Sequence, residues 1–193
     1  MNPALLSLPA AFGLAGASGL NATLPLLVVS LLARLGLVQL ASPYDALASD
    51  IAFYGLIVLG AVEFAMDKVP ALDSIGHVVM LPIAAASGAI LFASQTGAVT
   101  DMHPGLAVLI SLLAGAGVSS TVHLVRAGVR PVANVVLLGP PLSFIEDAVS
   151  AILAFAAMLA PVLVPFLLGL VALGAVLLWQ RRKASRPRAP SLR

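Results

Sequence analysis

Four carboxylates sit in surroundings that disfavour charge. Glu63 and Asp67 lie in "GAVEFAMDKVPALDSIGH", and Glu146 and Asp147 lie in "PPLSFIEDAVSAILAFAAMLAP", in a chain with eight acidic residues among 193. Glu63 and Asp67 are four apart, which places both on one face of a helix. In hydrocarbon each costs about 2.5 to 3.5 kcal/mol on insertion scales. Three arrangements relieve that cost: a shared proton, a cation held between them, or neutralisation by Lys68 and a helix end. Glu146 and Asp147 are adjacent, so on a helix they point about 100° apart, and at least one must line an internal polar site. Four such carboxylates together would make a hard, oxygen-rich cluster, suited to Mg²⁺, Ca²⁺, Mn²⁺ or protons and not to soft metals. The competing reading pairs them structurally with Arg126, Arg130 or a histidine.

Neutral polar residues could complete such a site. Asn21 and Thr23 in "GLNATLP", with Ser119, Ser120, Thr121 and His123 further on, offer amide and hydroxyl oxygens and an imidazole. The candidate ion-binding set is therefore Glu63, Asp67, Glu146, Asp147, Asn21, Ser120 and His123, with the four acids as candidate metal ligands and a divalent cation as cargo, not a resident cofactor. Ser and Thr in apolar helices also serve by bonding the preceding turn or by helping helices pack. Lys68 and Asp73 are expected in a wet turn after Pro70 ends the helix, with Lys68 snorkelling to water. His77 could pair with Asp73, and His103 belongs to a loop.

Other chemistries lack support. The chain has no cysteine, which excludes thiol catalysis, disulfides and thiolate metal sites. It has no HExxH, GxSxG, P-loop or Rossmann glycine pattern, and no enzyme activity is expected.

The elements that must hold these residues are membrane helices. Hydrophobic residues make up 61% of the chain and charged residues 9%, against roughly one-quarter charged in soluble domains. The expected fold is all-α: a polytopic helix bundle of about six spans in one domain, residues 1 to 180. Apolar runs cover 3 to 33, 51 to 66, 76 to 95, 105 to 126, 132 to 160 and 161 to 180. They are continuous and near helix-spanning length, unlike the alternating strands, about 10 residues long, of a membrane barrel. The first run is too long for one untilted span. Gly13, Gly16, Gly19, Asn21 and Pro25 predict a broken or re-entrant segment, and "GPP" at 139 to 141 interrupts the fifth run.

Six of the ten Lys and Arg residues lie in 181 to 193, a basic tail expected to be disordered and to face anionic lipid, not nucleic acid. With both termini cytoplasmic, Lys68, Arg126, Arg130 and the tail share one side, leaving Arg34 on the other. The halves, 3 to 95 and 105 to 180, also resemble each other. "LAGASGLNAT" lies on "LAGAGVSSTV", and "FAMDKV" lies on "FIEDAV", matching Phe64 with Phe144 and Asp67 with Asp147. Three spans per half would invert the second copy, as in many secondary transporters, with the first segment of each half broken or re-entrant. A homo-oligomer in the lipid bilayer is expected.

"GLNATLPLL", "EFAMDKVPALD" and "SFIEDAVS" resemble the uncharacterised bacterial membrane family known as domain of unknown function 4126, over about residues 10 to 180. The resemblance implies a compact multi-helix domain of the bacterial inner membrane with recurring acidic motifs. A fainter likeness is to the Gdt-type calcium and manganese exchangers, whose inverted halves carry a Glu-x-Gly-Asp-Lys/Arg motif. Here "EFAMDK" has one residue too many and no glycine, and "FIEDAV" lacks the basic residue. The functional expectation is a small secondary transporter or channel-like protein moving cations through an intramembrane carboxylate site. The alternative is a non-transporting assembly or lipid-interacting protein whose buried acids are structural.

Overall fold

The computed structural model describes residues 4–40, 42–95, 103–135 and 139–184. Among these the chain is all helical. Seven α-helices follow one another: α1 (Ala4–Leu20), α2 (Leu24–Arg34), α3 (Asp50–Lys68), α4 (Pro70–Ser94), α5 (Pro104–Val135), α6 (Gly139–Leu159) and α7 (Val164–Ala184). Short 3₁₀ turns at Tyr44–Ala48 and Pro161–Leu163 lead into α3 and α7.

The first apolar run breaks where Asn21 and Pro25 predict it. Proline has no N–H and its ring crowds the carbonyl four residues back, which disfavours helix from Asn21 to Pro25; α1 and α4 tolerate Pro9 and Pro82, but here the Asn21 side chain also caps a restart by accepting from Thr23 N and Leu24 N. Helix α1 stops at Leu20, and α2 restarts at Leu24 with Pro25 in its first turn, where a missing N–H costs nothing.

Three expectations need correction. Residues 70 to 77 are not a loop, because α4 begins at Pro70, one residue after α3 ends. Val69, extended at φ −105° and ψ 108°, is the whole joint, and Pro70 starts a helix as readily as it ends one. Second, the proposed counterpart of the broken segment is intact: α5 runs 32 residues through Ser119, Ser120 and His123. No proline interrupts it until Pro131, in its last turns. Third, α7 carries Arg181 to Lys183 on as helix to Ala184, so the basic segment begins ordered; residues 185 to 193 lie outside the described chain.

Helix α1 is central, packed on α4, α5 and α6, while α4 and α5 form the most extensive pair. Leu14, Ala17, Val29, Leu91, Leu153, Ala157 and Val164 make the main apolar core. Around it the usual polarity is reversed. Ser18, Asn21, Glu63, Asp67, Ser119, His123, Arg126 and Ser150 are buried, whereas Ile51, Val78, Leu113, Phe166 and Leu170 stand exposed. Two helical stretches are long and apolar enough to cross a membrane, Val108–Gly128 and Pro140–Leu159; other apolar stretches, among them Leu6–Leu20 and Val78–Ser94, are shorter.

The α4–α5 crossing brings backbone against backbone. A Cβ added at Gly115 would collide with Gly88 O and Phe92 Cβ, and one at Gly88 with Ser119 Cβ and Gly115 O. Ser119 Oγ bonds across the same contact to Ala84 O at 2.6 Å. Two residues on, Gly117 faces open space. Gly115→Ala is therefore expected to destabilise the folded protein by about 1 to 3 kcal/mol through overpacking. Gly117→Ala should instead be neutral or stabilise by up to about 1 kcal/mol through helix propensity. Thermal denaturation of the detergent-solubilised variants reads both.

Candidate functional site

The helix break exposes backbone donors that something must satisfy. The first N–H groups of a helix have no intrahelical acceptor, and buried ones are costly if unmet. Here two side chains meet them. Glu63 reaches from the last turns of α3 and accepts from Ala22 N at 2.8 Å with Oε1 and from Thr23 N at 3.0 Å with Oε2. Asn21 Oδ1 accepts from Thr23 N at 3.1 Å and Leu24 N at 2.8 Å. Glu63 is 1% exposed, and no basic side chain pairs with it among the described residues. The Thr23 hydroxyl is fully buried close beside this carboxylate, outside strict hydrogen-bond geometry with it or with any other described group.

The other three acids face cations supplied by the chain. Arg126, from α5 and buried, pairs through Nη2 with Asp67 Oδ2 and through Nε with Glu146 Oε2, the latter at 2.9 Å. One guanidinium thus ties α5 to α3 and α6. Lys68 Nζ donates to Asp147 Oδ2 and to Ser143 Oγ, both at 2.6 Å. Asn21 Nδ2 donates to the other oxygen, Asp147 Oδ1, at 3.0 Å. Asn21 therefore bridges the α2 N-terminus to the α6 acid. A further bond holds α6 beside the break, from Ser150 Oγ to Ala17 O at 2.9 Å.

Two aromatic rings enclose the Lys68 ammonium. Phe64 and Phe144 meet edge to face with centroids 5.7 Å apart. Lys68 Nζ lies 4.2 Å from one centroid and 4.3 Å from the other, within cation–π range.

The matched acidic segments of the two halves, "FAMDKV" and "FIEDAV", thus meet in space. Four of the expected site residues, Asp67 with Glu146 through Arg126 and Asn21 with Asp147 directly, come together there, and Glu63 joins them through the break. His123 is buried on α5, and its neighbour Ser120 is half-buried and takes no part in this network. The four carboxylates do not surround one point: no three His, Asp or Glu among the described residues are grouped to hold a metal ion. The space such an ion would need is taken by the guanidinium and the ammonium. The side chains of Asp73, His77 and Arg130 lie outside the described part of the chain. His103 is exposed and accepts from Gly105 N, as a loop residue would.

Lys68 is not the snorkelling loop residue expected from the sequence, with its side chain only 15% exposed. Ser143 and the two phenylalanines gave no chemical signal of their own, although the pairing of Phe64 with Phe144 in the sequence match was the one available pointer.

The family follows from the whole length of this arrangement. A model of the domain of unknown function DUF4126 matches residues 8–181. The chain belongs to the DUF4126 family. No curated protein and no solved structure matches it. The DUF4126 match takes in every residue of the network, from Asn21 to Asp147.

Removing Arg126 from this DUF4126 chain breaks two buried pairs at once. Arg126→Met is expected to destabilise by about 3 to 5 kcal/mol, the usual cost of leaving a buried pair broken. Lys68→Met should cost less, because Asp147 keeps Asn21 and Ser143 is left able to turn to it. The order of melting temperatures in detergent, wild type above Lys68→Met above Arg126→Met, checks this.

Proposed function

We propose that the protein is a small multi-pass membrane transporter that moves protons or cations through the buried carboxylate network, with Glu63 as the group that exchanges. One observation carries this reading. Glu63 is a fully buried carboxylate at a helix break, held by backbone N–H groups, with no basic side chain within ion-pair distance among the described residues. Its two oxygens accept one bond each from the break, and beside them the Thr23 hydroxyl has an unused lone pair. A proton arriving on Glu63 would donate to Thr23 Oγ1, while the other oxygen keeps its backbone donor. The carboxylate can then alternate between two satisfied states without unfolding its surroundings.

The setting fits this role. Discontinuous helices whose half-helix N-termini face an anionic group mark the sites of many secondary transporters. Glu63 lies 13 residues along α3 from Asp50, about 20 Å at 1.5 Å per residue, which is well inside a hydrocarbon core of about 30 Å. The exposed Val, Leu, Ile and Phe side chains and the buried polar interior suit lipid outside and a polar site within. Placing both termini in the cytoplasm of a bacterial inner membrane puts nine of the ten basic residues on the cytoplasmic side. A proton or monovalent cation fits better than a divalent one, since Asp67, Glu146 and Asp147 already face cations of the chain.

The same ion pairs favour a second reading, in which the acids only fasten α3, α5 and α6 together in a non-transporting membrane protein. Flux separates the two. Purified protein in liposomes carrying a pH-sensitive dye should dissipate an imposed proton or monovalent cation gradient. Glu63→Gln, which keeps the shape and one acceptor, should abolish that flux while retaining wild-type elution and melting. Absence of flux from the wild-type protein for protons, Na⁺, K⁺ and ammonium would leave the structural reading.

A further inference from the structure

Lys68 occupies a site whose chemistry is complete without it. An ammonium has three N–H donors. Here Asp147 Oδ2 and Ser143 Oγ take donated bonds at 2.6 Å, and the faces of Phe64 and Phe144 close over the rest of the charge. The walls come from two elements, α3 and α6, and the two rings, 45% and 55% exposed, leave the cage open on its outer side. Asn21 holds the far oxygen of Asp147, and the two rings support each other edge to face. We propose that the cage formed by Phe64, Phe144, Ser143 and Asp147 is a binding site for a small ammonium cation, and that Lys68 is a tethered occupant which the incoming cation displaces.

The two basic residues of the network differ in the way this requires. Arg126 is a planar fork locked between two carboxylates, and its side chain is 2% exposed. Lys68 is a point charge on a four-carbon stem, in the last residue of α3, and its side chain is 15% exposed. A compact charge on a flexible stem can withdraw where a fork cannot. The cage also selects its cargo. It offers one free carboxylate oxygen and one hydroxyl, far short of the six to eight oxygens that Ca²⁺ takes. Two aromatic faces favour a weakly hydrated organic or simple ammonium ion. Asn21 then links the cage to Glu63, since the same side chain bonds Asp147 and the Thr23 N–H that Glu63 shares.

This inference rests on the transport reading for its purpose, yet binding alone tests it. Radiolabelled methylammonium should bind saturably to the full-length wild-type protein in detergent. Replacing both rings, Phe64→Leu with Phe144→Leu, should remove the binding while Lys68 stays. If Lys68 fills the cage about nine-tenths of the time, Lys68→Met should raise the apparent affinity about tenfold. Adding Asp147→Asn to Lys68→Met should abolish the gain, and excess Mg²⁺ should not compete. Binding to Lys68→Met with none to the wild type would make Lys68 a permanent occupant and overturn the proposal, as would wild-type binding indifferent to the rings. Should Lys68→Met fail to fold, the wild type and the ring variant decide. Ammonium binding without any flux overturns the transport reading and leaves the cage standing; proton flux without ammonium binding does the reverse.

Discussion

The arrangement turns on the unmet N–H groups at the break between α1 and α2. The helix stops at Leu20 and restarts at Leu24 with Pro25 in its first turn, so Ala22, Thr23 and Leu24 present donors in a buried place. Water is excluded there, and the chain must provide acceptors. Glu63 and Asn21 do so, and each choice commits a second helix. Glu63 brings the end of α3 to the break, and with it Asp67 and Lys68. Asn21 uses its remaining amide to orient Asp147, and so brings α6. Arg126 and Lys68 then have carboxylates placed for them. The break links the two acids that reach it, Glu63 of α3 directly and Asp147 of α6 through Asn21.

Polarity outside in supports the same order of causes. In a soluble bundle the apolar core assembles the helices and polar groups decorate the rim. Here apolar side chains cover much of the surface, and Ser119, Ser150 and Asn21 bond across helix contacts. In the membrane setting proposed above, lipid gives apolar surfaces no preference for one another, so close packing and interhelical hydrogen bonds would do the selecting. The Gly88–Gly115 contact and the polar network are the two places where that selection is sharpest.

Local sequence foretold part of this and could not foretell the rest. The break was legible because proline and glycine act on their own backbone, within four residues. The shared face of Glu63 and Asp67 was legible from helical spacing, and both are buried on α3. The partners were not, since Asp67 meets Arg126 across 59 positions and Asn21 meets Asp147 across 126. Lys68 looked like a loop residue because Pro70 follows it, and proline reads equally as the end of one helix or the start of the next. The continuity of α5 was missed for the opposite reason. Its resemblance to "LAGASGLNAT" suggested a second break, but the match stops before the proline that causes the first. The first of the six apolar runs became two helices at that expected break.

The distribution of bases among the acids bears on what the network is for. A purely fastening network is best built from forks, since a guanidinium holds two carboxylates with fixed geometry and remains charged whatever its surroundings. Arg126 has that form, and it sits where α5, α3 and α6 are joined. The rest of the network departs from it. Asp147 is met by a lysine, whose single charge is held between two rings and a hydroxyl, and Glu63 is met by backbone N–H groups beside the Thr23 hydroxyl. A protein selected only for rigidity gains nothing from leaving one buried carboxylate outside any ion pair among the described residues and giving another a flexible partner. Both choices make sense if part of the network is fixed and part must exchange its charge. The division runs through Asn21, with Glu63 on one side of it and Asp147 on the other, so that a change at either acid is felt at the helix break between them.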